Sequence, residues 1–235
     1  MLNYFVFDNL YSRDFETYIS GSGVYNAPAR EYNTVSVPGR NGDLIISADK
    51  YENITVKYPA FISKDFKDNL ARLRSALLSR KGYCQLTDTY HPDEFRIGYF
   101  GGGITVKSRT QNDAGEFDLA FNCKPQRFLY AGCYEHSIAD GGSIQNPTYF
   151  ESQPLIKVTG YGNLTINNEV IKIANAYPSV TIDSEIMDCY SGTANANGAV
   201  TFYSGEFPKL KPGSNGIEYD NTITAVTIMP RWWIL

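Results

Sequence analysis

Two acidic residues in the stretch TIDSE come closest in this chain to a catalytic pair: Asp183 and Glu185. On a β-strand, residues two apart lie on the same face at roughly 7 Å, and paired carboxylates at comparable spacings hydrolyse glycosidic bonds. Ile182 and Ile186 alternate with them, which is typical of a strand with one face in water. We therefore interpret the two carboxylates as a solvated pair and keep cell-wall hydrolysis as the alternative.

His91 lies in the stretch DTYHPDEF, which is the second place where acidic residues cluster around a group that could do chemistry. The carboxylates near it are Asp88, Asp93 and Glu94. Such a group could bind a metal or transfer a proton, but Pro92 imposes an extended or turn conformation in which these side chains need not converge. We predict a solvated hairpin turn here. The other histidine, His136, has no partner pattern for a catalytic triad.

The remaining motifs predict no catalytic, metal or cofactor site. The triple glycine at 101–103 precedes a strand pattern, so it predicts a turn rather than a phosphate loop at a helix N-terminus. The four cysteines are Cys84, Cys123, Cys133 and Cys189. Because their spacing is irregular, we predict reduced and mostly buried thiols, with a metal site or disulfides as the alternative.

The composition is that of a globular β-rich protein. The 235 residues are 43% hydrophobic and 20% charged, with 18 tyrosines, 20 glycines and 11 prolines, which favours sheets and turns. The net charge is −4, and basic and acidic residues are equal in number over residues 1–135. This balance excludes a basic nucleic-acid-binding surface as the main feature of either half.

The first residues, MLNYFVFDNLYSRDF, carry no basic residue before their apolar run, and Asp8 interrupts that run. We therefore expect no signal peptide, no membrane insertion and synthesis in the cytoplasm.

Two local patterns define the first half of the chain. Extended runs flank the turn residues Pro38 to Asp43 in YNTVSVPGRNGDLIIS, which predicts a β-hairpin that the alternating YENITVKY continues. The stretch SKDFKDNLARLRSALLSRKG then has apolar residues at helical spacing and a glycine after its last basic residues. It predicts one amphipathic helix over about 64–81, with Ser63 as the N-cap.

After the helix, alternating runs predict an antiparallel meander with turns at 101–103 and 111–115. Periodicity is lost from Ala131 to Pro154, and we place the domain boundary there. The expected division is a first domain over 1–136, a linker over 137–142 and a second domain over 143–235. Strand patterns at roughly ten-residue spacing, without a helix signal, predict a β-sandwich for the second domain.

The C-terminal stretch MPRWWIL holds both tryptophans. If one final strand runs through TAVTIMPRWWIL, Trp232 and Trp233 point to opposite faces because strand side chains alternate. One tryptophan then fills the core of the second domain. The other lies on the outer face, against the first domain or a neighbouring subunit, and Arg231 shares the face of Trp233. We therefore predict an inter-domain contact at Arg231, Trp232 and Trp233.

Four stretches in series resemble the distal tail protein (Dit) family of long non-contractile-tailed phages and prophages. They are VPGRNGDL around the 38–43 turn, CKPQRF at 123–128, NPTYFESQPLIKVTGYGNLTINN at 146–168, and GEFPKLKPGSNGIEYD with TAVTIMPRWWIL at 205–235. The resemblance covers nearly the whole chain in the family's order. It implies a mainly β fold of two β-sandwich domains, the first tail-tube-like with the one helix and the second galectin-like.

The resemblance also implies a structural role without enzymatic activity or a cofactor. Family members form a homo-hexameric ring at the distal end of the virion tail, between the tail tube protein and a tail-associated tip protein. A receptor-binding protein is a further candidate partner, and DNA passes through the lumen without specific binding. The balanced charge of residues 1–135 fits such a conduit.

Within the first domain, the resemblance implies a hairpin that reaches a neighbouring subunit. We assign this role to 35–56, and the residues that shape it are Pro38, Gly39, Arg40, Asn41 and Gly42. A simple internal turn of the sandwich remains the alternative reading. The alternative function is a host-surface carbohydrate-binding module that uses the tyrosine-rich second sandwich.

Overall fold

The computed structural model describes residues 2–21, 23–110 and 113–235, with the backbone alone at 47–49 and 108–110. These residues form two compact units: a first unit up to Arg127, joined by Leu235, and a second unit over Phe128–Ile234. Within the described part of the chain, no helix has the length and apolar character needed to cross a membrane.

The first unit is built on one antiparallel sheet. Its strands are β1 (Phe5–Phe7), β2 (Leu10–Tyr11), β3 (Thr17–Ile19), β6 (Ile54–Ile62), β7 (Cys84–Asp88), β8 (Glu94–Thr110) and β9 (Ala114–Leu129), and a separate hairpin comprises β4 (Arg30–Val35) and β5 (Leu44–Tyr51). The order across the sheet is β2-β1-β7-β8-β9-β6-β3. A bridge between Asn3, just before β1, and Ile19 in β3 brings the β1 side of this order to its other end, so the sheet curls around its own core.

Strict alternation in the sequence explains the inner face of this sheet. Along β6 every second residue is buried, from Ile54 through Val56 and Tyr58 to Ile62. Because side chains alternate across a strand, one face of β6 supplies the core and the other meets water. Aromatic rings dominate the interior, and the ring of Phe121 lies 5.1–6.1 Å from four others: Phe5, Phe7, Tyr58 and Phe100.

Helix α1 (Phe66–Leu78) confirms the predicted amphipathic helix, although it is shorter than 64–81. Its buried side chains, Phe66, Asn69, Leu73 and Leu77, form one stripe against the sheet. Ser63 is not the N-cap, because its hydroxyl donates to Glu16 at 3.2 Å and Asp65 occupies the cap position in a left-handed conformation. At the other end, Arg80 donates to the carbonyl oxygen of Ala76 at 2.9 Å.

The triple glycine does not separate two strands, so the turn predicted there is wrong. β8 continues through 101–103. Gly102 has φ +93, a left-handed conformation that bends the strand without ending it, and a Cβ on Gly103 would lie 3.3 Å from the Cβ of Ala120. Of the turn predicted at 111–115, Gln111 and Asn112 lie outside the described residues.

The second unit is a sandwich of two antiparallel sheets. The strands of these sheets are β10 (His136–Ile138), β11 (Gly142–Asn146), β12 (Leu155–Gly160), β13 (Gly162–Ile166), β14 (Glu169–Ile173), β15 (Ser179–Asp183), β16 (Asp188–Ser191), β17 (Ala194–Asn195), β18 (Val200–Phe202), β19 (Gly213–Tyr219) and β20 (Ile223–Met229). The short strand β21 (Trp233–Ile234) belongs to neither of the two sheets. One sheet has the order β10-β20-β12-β15-β16-β17 and the other β11-β19-β13-β14-β18. Inward residues of both sheets, such as Ile156, Ile182, Leu164 and Ile217, form a single core. The mainly β fold class with one α-helix is therefore confirmed for the described residues.

The division between the units differs from the one read from sequence. It falls between Arg127 and Phe128, whereas the sequence places a linker at 137–142. Both flanks of that stretch are paired strands, since β10 pairs with β20 and β11 pairs with β19. Glycine and polar residues around 139–142 mark a tight turn inside the second unit, where the amide of Gly142 donates to Ala139 at 2.9 Å.

The final strand is also not continuous. It divides into β20 and β21, with residues 230–232 between them. Pro230 has no N–H to donate to a neighbouring strand, and Arg231 has a φ of +55, which no extended strand contains.

Candidate assembly site

The hairpin of β4 and β5, which we call the arm (residues 30–51), forms a two-stranded sheet of its own. Its register pairs Val35 with Leu44, Thr34 with Ile45 and Asn33 with Ile46. The predicted extent of 35–56 is shifted, because Ile54 already belongs to β6 in the main sheet.

The tip of the arm contains the turn that the sequence predicts. The amide of Arg40 donates to the carbonyl oxygen of Val37 at 3.1 Å, with Pro38 and Gly39 as the central residues. Gly39 has φ +80, so this is a type II turn, which takes proline first and glycine second. Asn41 and Gly42 continue the exposed tip. Among the side chains that the structure describes, Arg40 makes no ion pair.

Apolar side chains cover both faces of the arm. The exposed ones are Tyr32, Val35, Val37, Leu44, Ile45 and Ile46. Because directly paired residues share a face, Val35, Leu44 and Ile46 lie on one side, and Ile45 and Tyr32 lie on the other. Ile45 is 62% exposed. A lone two-stranded hairpin is marginal in water, so this apolar surface is suited to burial against a partner.

The base of the arm is held by two polar contacts. Lys50 pairs with Glu31 at 2.8 Å, and this hydrogen bond raises the pKa of Lys50. Arg30 donates to the hydroxyl of Tyr51, and its guanidinium carbon lies 4.9 Å from the centre of that ring. These contacts fix the register where the arm begins and leave its apolar part uncovered.

The C-terminal residues Arg231 to Trp233 all make contacts inside the second unit. Trp232 is 4% exposed and packs in the core of the sandwich. Trp233 stacks on Phe150, with ring centres 4.4 Å apart, and its indole N–H donates to the carbonyl oxygen of Glu151 at 3.0 Å. The two tryptophans thus have different environments, as the sequence predicts, and an inter-domain contact of these residues stays a prediction.

Gly132 allows the backbone of Trp232 to approach closely, because it has no side chain. Its carbonyl oxygen accepts from the amide of Arg231 at 2.8 Å, and a Cβ on Gly132 would lie 2.2 Å from the backbone nitrogen of Trp232. We expect Gly132→Ala to destabilise the second unit by about 3 kcal/mol, because the backbone has to move apart. A urea titration followed by tryptophan fluorescence measures this change, and an unchanged midpoint would contradict the close approach.

Asp183 and Glu185 are not a solvated pair. The Asp183 carboxylate is 8% exposed and accepts two hydrogen bonds from Arg231, at 2.6 and 3.0 Å, while Glu185 lies 3.4 Å from the same guanidinium. Burial alone would raise the pKa of Asp183, but the hydrogen bonds and charge of Arg231 outweigh it and lower this pKa. A general acid needs the opposite shift, so the geometry does not favour glycoside hydrolysis.

The interpretation of His91 as part of a solvated turn is also wrong. Its Nδ1 lies 3.0 Å from Asp88 Oδ1, and both side chains are largely buried. The other oxygen of Asp88 accepts from the hydroxyl of Tyr58 at 2.7 Å, and burial together with Asp88 raises the pKa of that tyrosine well above its usual value. Glu94 instead pairs with Arg127 at 2.8 Å. Asp88 therefore has a structural role, because it hydrogen-bonds both to His91 in the turn and to Tyr58 in β6. Among the described residues, no group of side chains is arranged to bind a metal ion.

All four cysteines are free thiols. Cys123 and Cys189 are buried, and burial raises the pKa of each to about 12. Cys84 is half-buried and Cys133 is exposed, so the expectation of mostly buried thiols holds for two of the four.

Sequence reasoning predicted the hairpin and its tip but missed that its apolar side chains are exposed on both faces. The signal is the run Leu44, Ile45, Ile46, which places apolar side chains on consecutive positions and hence on both faces. Such a run predicts a strand buried on two sides. In the described structure the run is exposed on both.

No protein-family model matches the sequence, and no curated protein matches it significantly. The crystal structure of SPP1 Dit (gp 19.1), described as a paradigm of the hub adsorption apparatus in phages that infect Gram-positive bacteria, matches with a TM-score of 0.78 at 11% identity and covers 100% of both chains. Phage P2 baseplates in the activated conformation, with Ca and with Sr, overlap at TM-scores of 0.49 and 0.46 and 10% identity over 97% of each chain, which is too weak to establish a shared fold. The chain therefore has the fold of a phage distal tail protein, as the sequence resemblance implies.

Proposed function

We propose that this protein is a structural component of a phage tail, which forms a hexameric ring at the distal end and connects the tail tube to the tip apparatus. The observation that carries the proposal is the arm, whose apolar residues are exposed on both faces. The fold shared with SPP1 Dit over the whole chain supports the same role.

The arm supplies the subunit contact in this proposal. In a closed ring, each subunit gives its arm to one neighbour and receives the arm of the other, so every contact is the same heterologous pairing. Ile45 and Tyr32 then cover one side of the interface, and Leu44 and Ile46 cover the other. Burying an aliphatic side chain of this size contributes about 1.5–3 kcal/mol, and several of them are available in each arm.

The charge distribution fits a ring with a conduit for DNA. Basic and acidic residues balance over residues 1–135, so the ring-forming part attracts phosphates only weakly. Two lysines of this part are partly neutralised by one carboxylate, because Lys57 and Lys107 both pair with Asp118, at 2.8 and 2.7 Å. The proposed role needs no catalytic group or cofactor, and its partners are the tail tube protein, a tail-associated tip protein and a receptor-binding protein.

The direct test is the oligomeric state of the purified full chain. We expect particles of six chain masses by light scattering or mass photometry, and rings with an open centre by negative-stain microscopy. The same measurement in the presence of the cognate tail tube protein tests whether the ring forms on that template. Monomers at every concentration, alone and with the tube protein, would contradict the proposed function.

A further inference from the structure

A groove of about 590 Å³ lies between helix α1 and strand β8 in the first unit. Its lining residues are Lys67, Leu70, Ala71 and Arg74, which form one stripe of α1, together with Val106 and Lys107 of β8. Consecutive residues of a strand point to opposite faces. A groove that reaches both Val106 and Lys107 therefore lies along the edge of β8.

This edge of β8 has no strand partner over its second half. In the sheet, β8 lies between β7 and β9, and β7 pairs only with residues 96–98 of β8. From Tyr99 onward, no strand of the described structure pairs with β8 on the β7 side. Every second residue of such an edge directs its backbone N–H and C=O groups outward, which is a template for one more strand. The glycines at 101–103 lie in this segment and allow another backbone to approach closely.

The groove combines an apolar floor with positive charge. Leu70, Ala71 and Val106 supply apolar surface, and Val106 is 48% exposed. Lys67 and Arg74 are exposed, and neither makes an ion pair with a side chain that the structure describes. The groove therefore fits an extended segment with apolar side chains and a carboxylate beside them.

Strand β5 of the arm has these properties. One of its edges pairs with β4, and its other edge has no partner within the described structure. The run from Leu44 to Ile46 is exposed and apolar on both faces. Asp43 directly precedes this run, is exposed and makes no ion pair with any described side chain. Apolar surface, an unpaired strand edge and a free charge thus occur on both the arm and the groove, and the charges are opposite.

We propose that β5 of a second copy of this chain adds to the free edge of β8 and fills the groove beside α1. This inference rests on the proposed function and names the surface that receives the arm. The apolar side chains on one face of β5 pack against Leu70 and Val106, and Asp43 lies next to Lys67 or Arg74. Side chains on the other face of β5 continue the outer face of the sheet. Strand addition thus uses both faces of a strand whose apolar residues are consecutive.

Two other occupants leave part of the groove unsatisfied. A phosphate group would meet Lys67 and Arg74 but leave the apolar surface of Leu70 and Val106 in water. A helix would cover that apolar surface but leave the backbone groups along the edge of β8 unpaired.

Fluorescence anisotropy with a labelled peptide of residues 41–50, NGDLIISADK, tests the groove directly. The acceptor is the full-length Ile45→Asp chain, in which the arm is altered so that it does not occupy the groove of another copy. We expect saturable binding with a dissociation constant of about 100 µM. Val106→Asp in the same chain should weaken the binding about tenfold or more, because it places a carboxylate in the apolar floor.

Charge reversal tests the role of the two cations. Lys67→Glu combined with Arg74→Glu should weaken binding of the peptide about tenfold, and this double variant should prefer a peptide with Asp43→Lys. Because both cations are exposed, the melting temperature should change by less than about 3 °C. Lys81→Glu combined with Lys172→Glu is the matched control, since it makes the same charge change at two exposed lysines that do not line the groove.

The outcomes separate this proposal from the proposed function. Absence of saturable binding, or equal binding by the groove variants and the control, would overturn the groove as the acceptor, while rings formed by the unaltered chain would still support the ring. Peptide binding that depends on the groove residues, without rings under any condition, would support the groove and contradict the hexameric role. Displacement of the peptide by inorganic phosphate would overturn the proposal in favour of an anion site.

Discussion

Ile45→Asp is expected to convert the proposed rings into monomers while the monomer keeps its melting temperature. Ile45 is 62% exposed, so the folded chain loses little when it becomes aspartate. In the ring, the change removes about 1.5–3 kcal/mol of apolar burial from each contact and buries a charge there. This weakens each contact more than 100-fold. Light scattering over a concentration series, with thermal unfolding of the same samples, measures both effects.

Ile186→Asp is the matched control for this experiment. Ile186 is 61% exposed, has the same chemistry and lies in the turn after β15 in the second unit. We expect this variant to assemble like the unaltered protein. If both variants assemble normally, the arm is not the subunit contact. If both dissociate, the effect is one of general solubility and the assignment to the arm is equally wrong.

Arg231→Met is expected to destabilise the second unit by about 3 kcal/mol. The substitution leaves the Asp183 carboxylate, which is 8% exposed, without the guanidinium that donates to it twice. Both tryptophans belong to the second unit, so their fluorescence in a urea titration reports on this unit alone. Lys157→Met is the control, because it breaks the exposed pair with Glu135 and should cost at most about 1 kcal/mol.

The same pair predicts a dependence on pH. The pKa of Asp183 is lowered in the folded state, where Arg231 outweighs the effect of burial. A carboxyl with a lowered pKa stabilises the fold fully above the ordinary aspartate pKa of about 3.9, and this contribution is lost as the pH falls through the folded value. The difference between the unaltered protein and Arg231→Met should therefore be largest near neutral pH and shrink below about pH 4. A difference that stays constant down to pH 3 would contradict the ion pair as its source.

Sequence patterns correctly predicted the features that depend on side-chain periodicity and on the allowed backbone angles of single residues. The alternation in β6 and the stripe of α1 follow from side-chain periodicity, and the turn at Pro38 and Gly39 follows from the allowed φ of these two residues. The prediction of where α1 begins was less accurate, since Asp65 rather than Ser63 occupies the cap position. The choice between them depends on Glu16, a residue far away in sequence to which the Ser63 hydroxyl donates.

Contacts between distant residues could not be predicted from one sequence. The alternation around Asp183 indicated a solvated face, but Arg231, from the far end of the chain, covers that carboxylate. His91 and Asp88 are neighbours in sequence, yet their burial depends on Tyr58 and on the segment around Tyr25 packed on the imidazole.

The hydrogen bond from the amide of Leu129 to the carbonyl oxygen of Trp232, at 2.9 Å, has an evolutionary consequence. It shows that the first and last residues of the second unit lie close together, with β10 next to β20 immediately inside. A domain with adjacent ends can be exchanged as a single cassette, because a replacement has to match only one short spacing. A sandwich with the same spacing between its ends can therefore replace this one and leave the first unit unchanged.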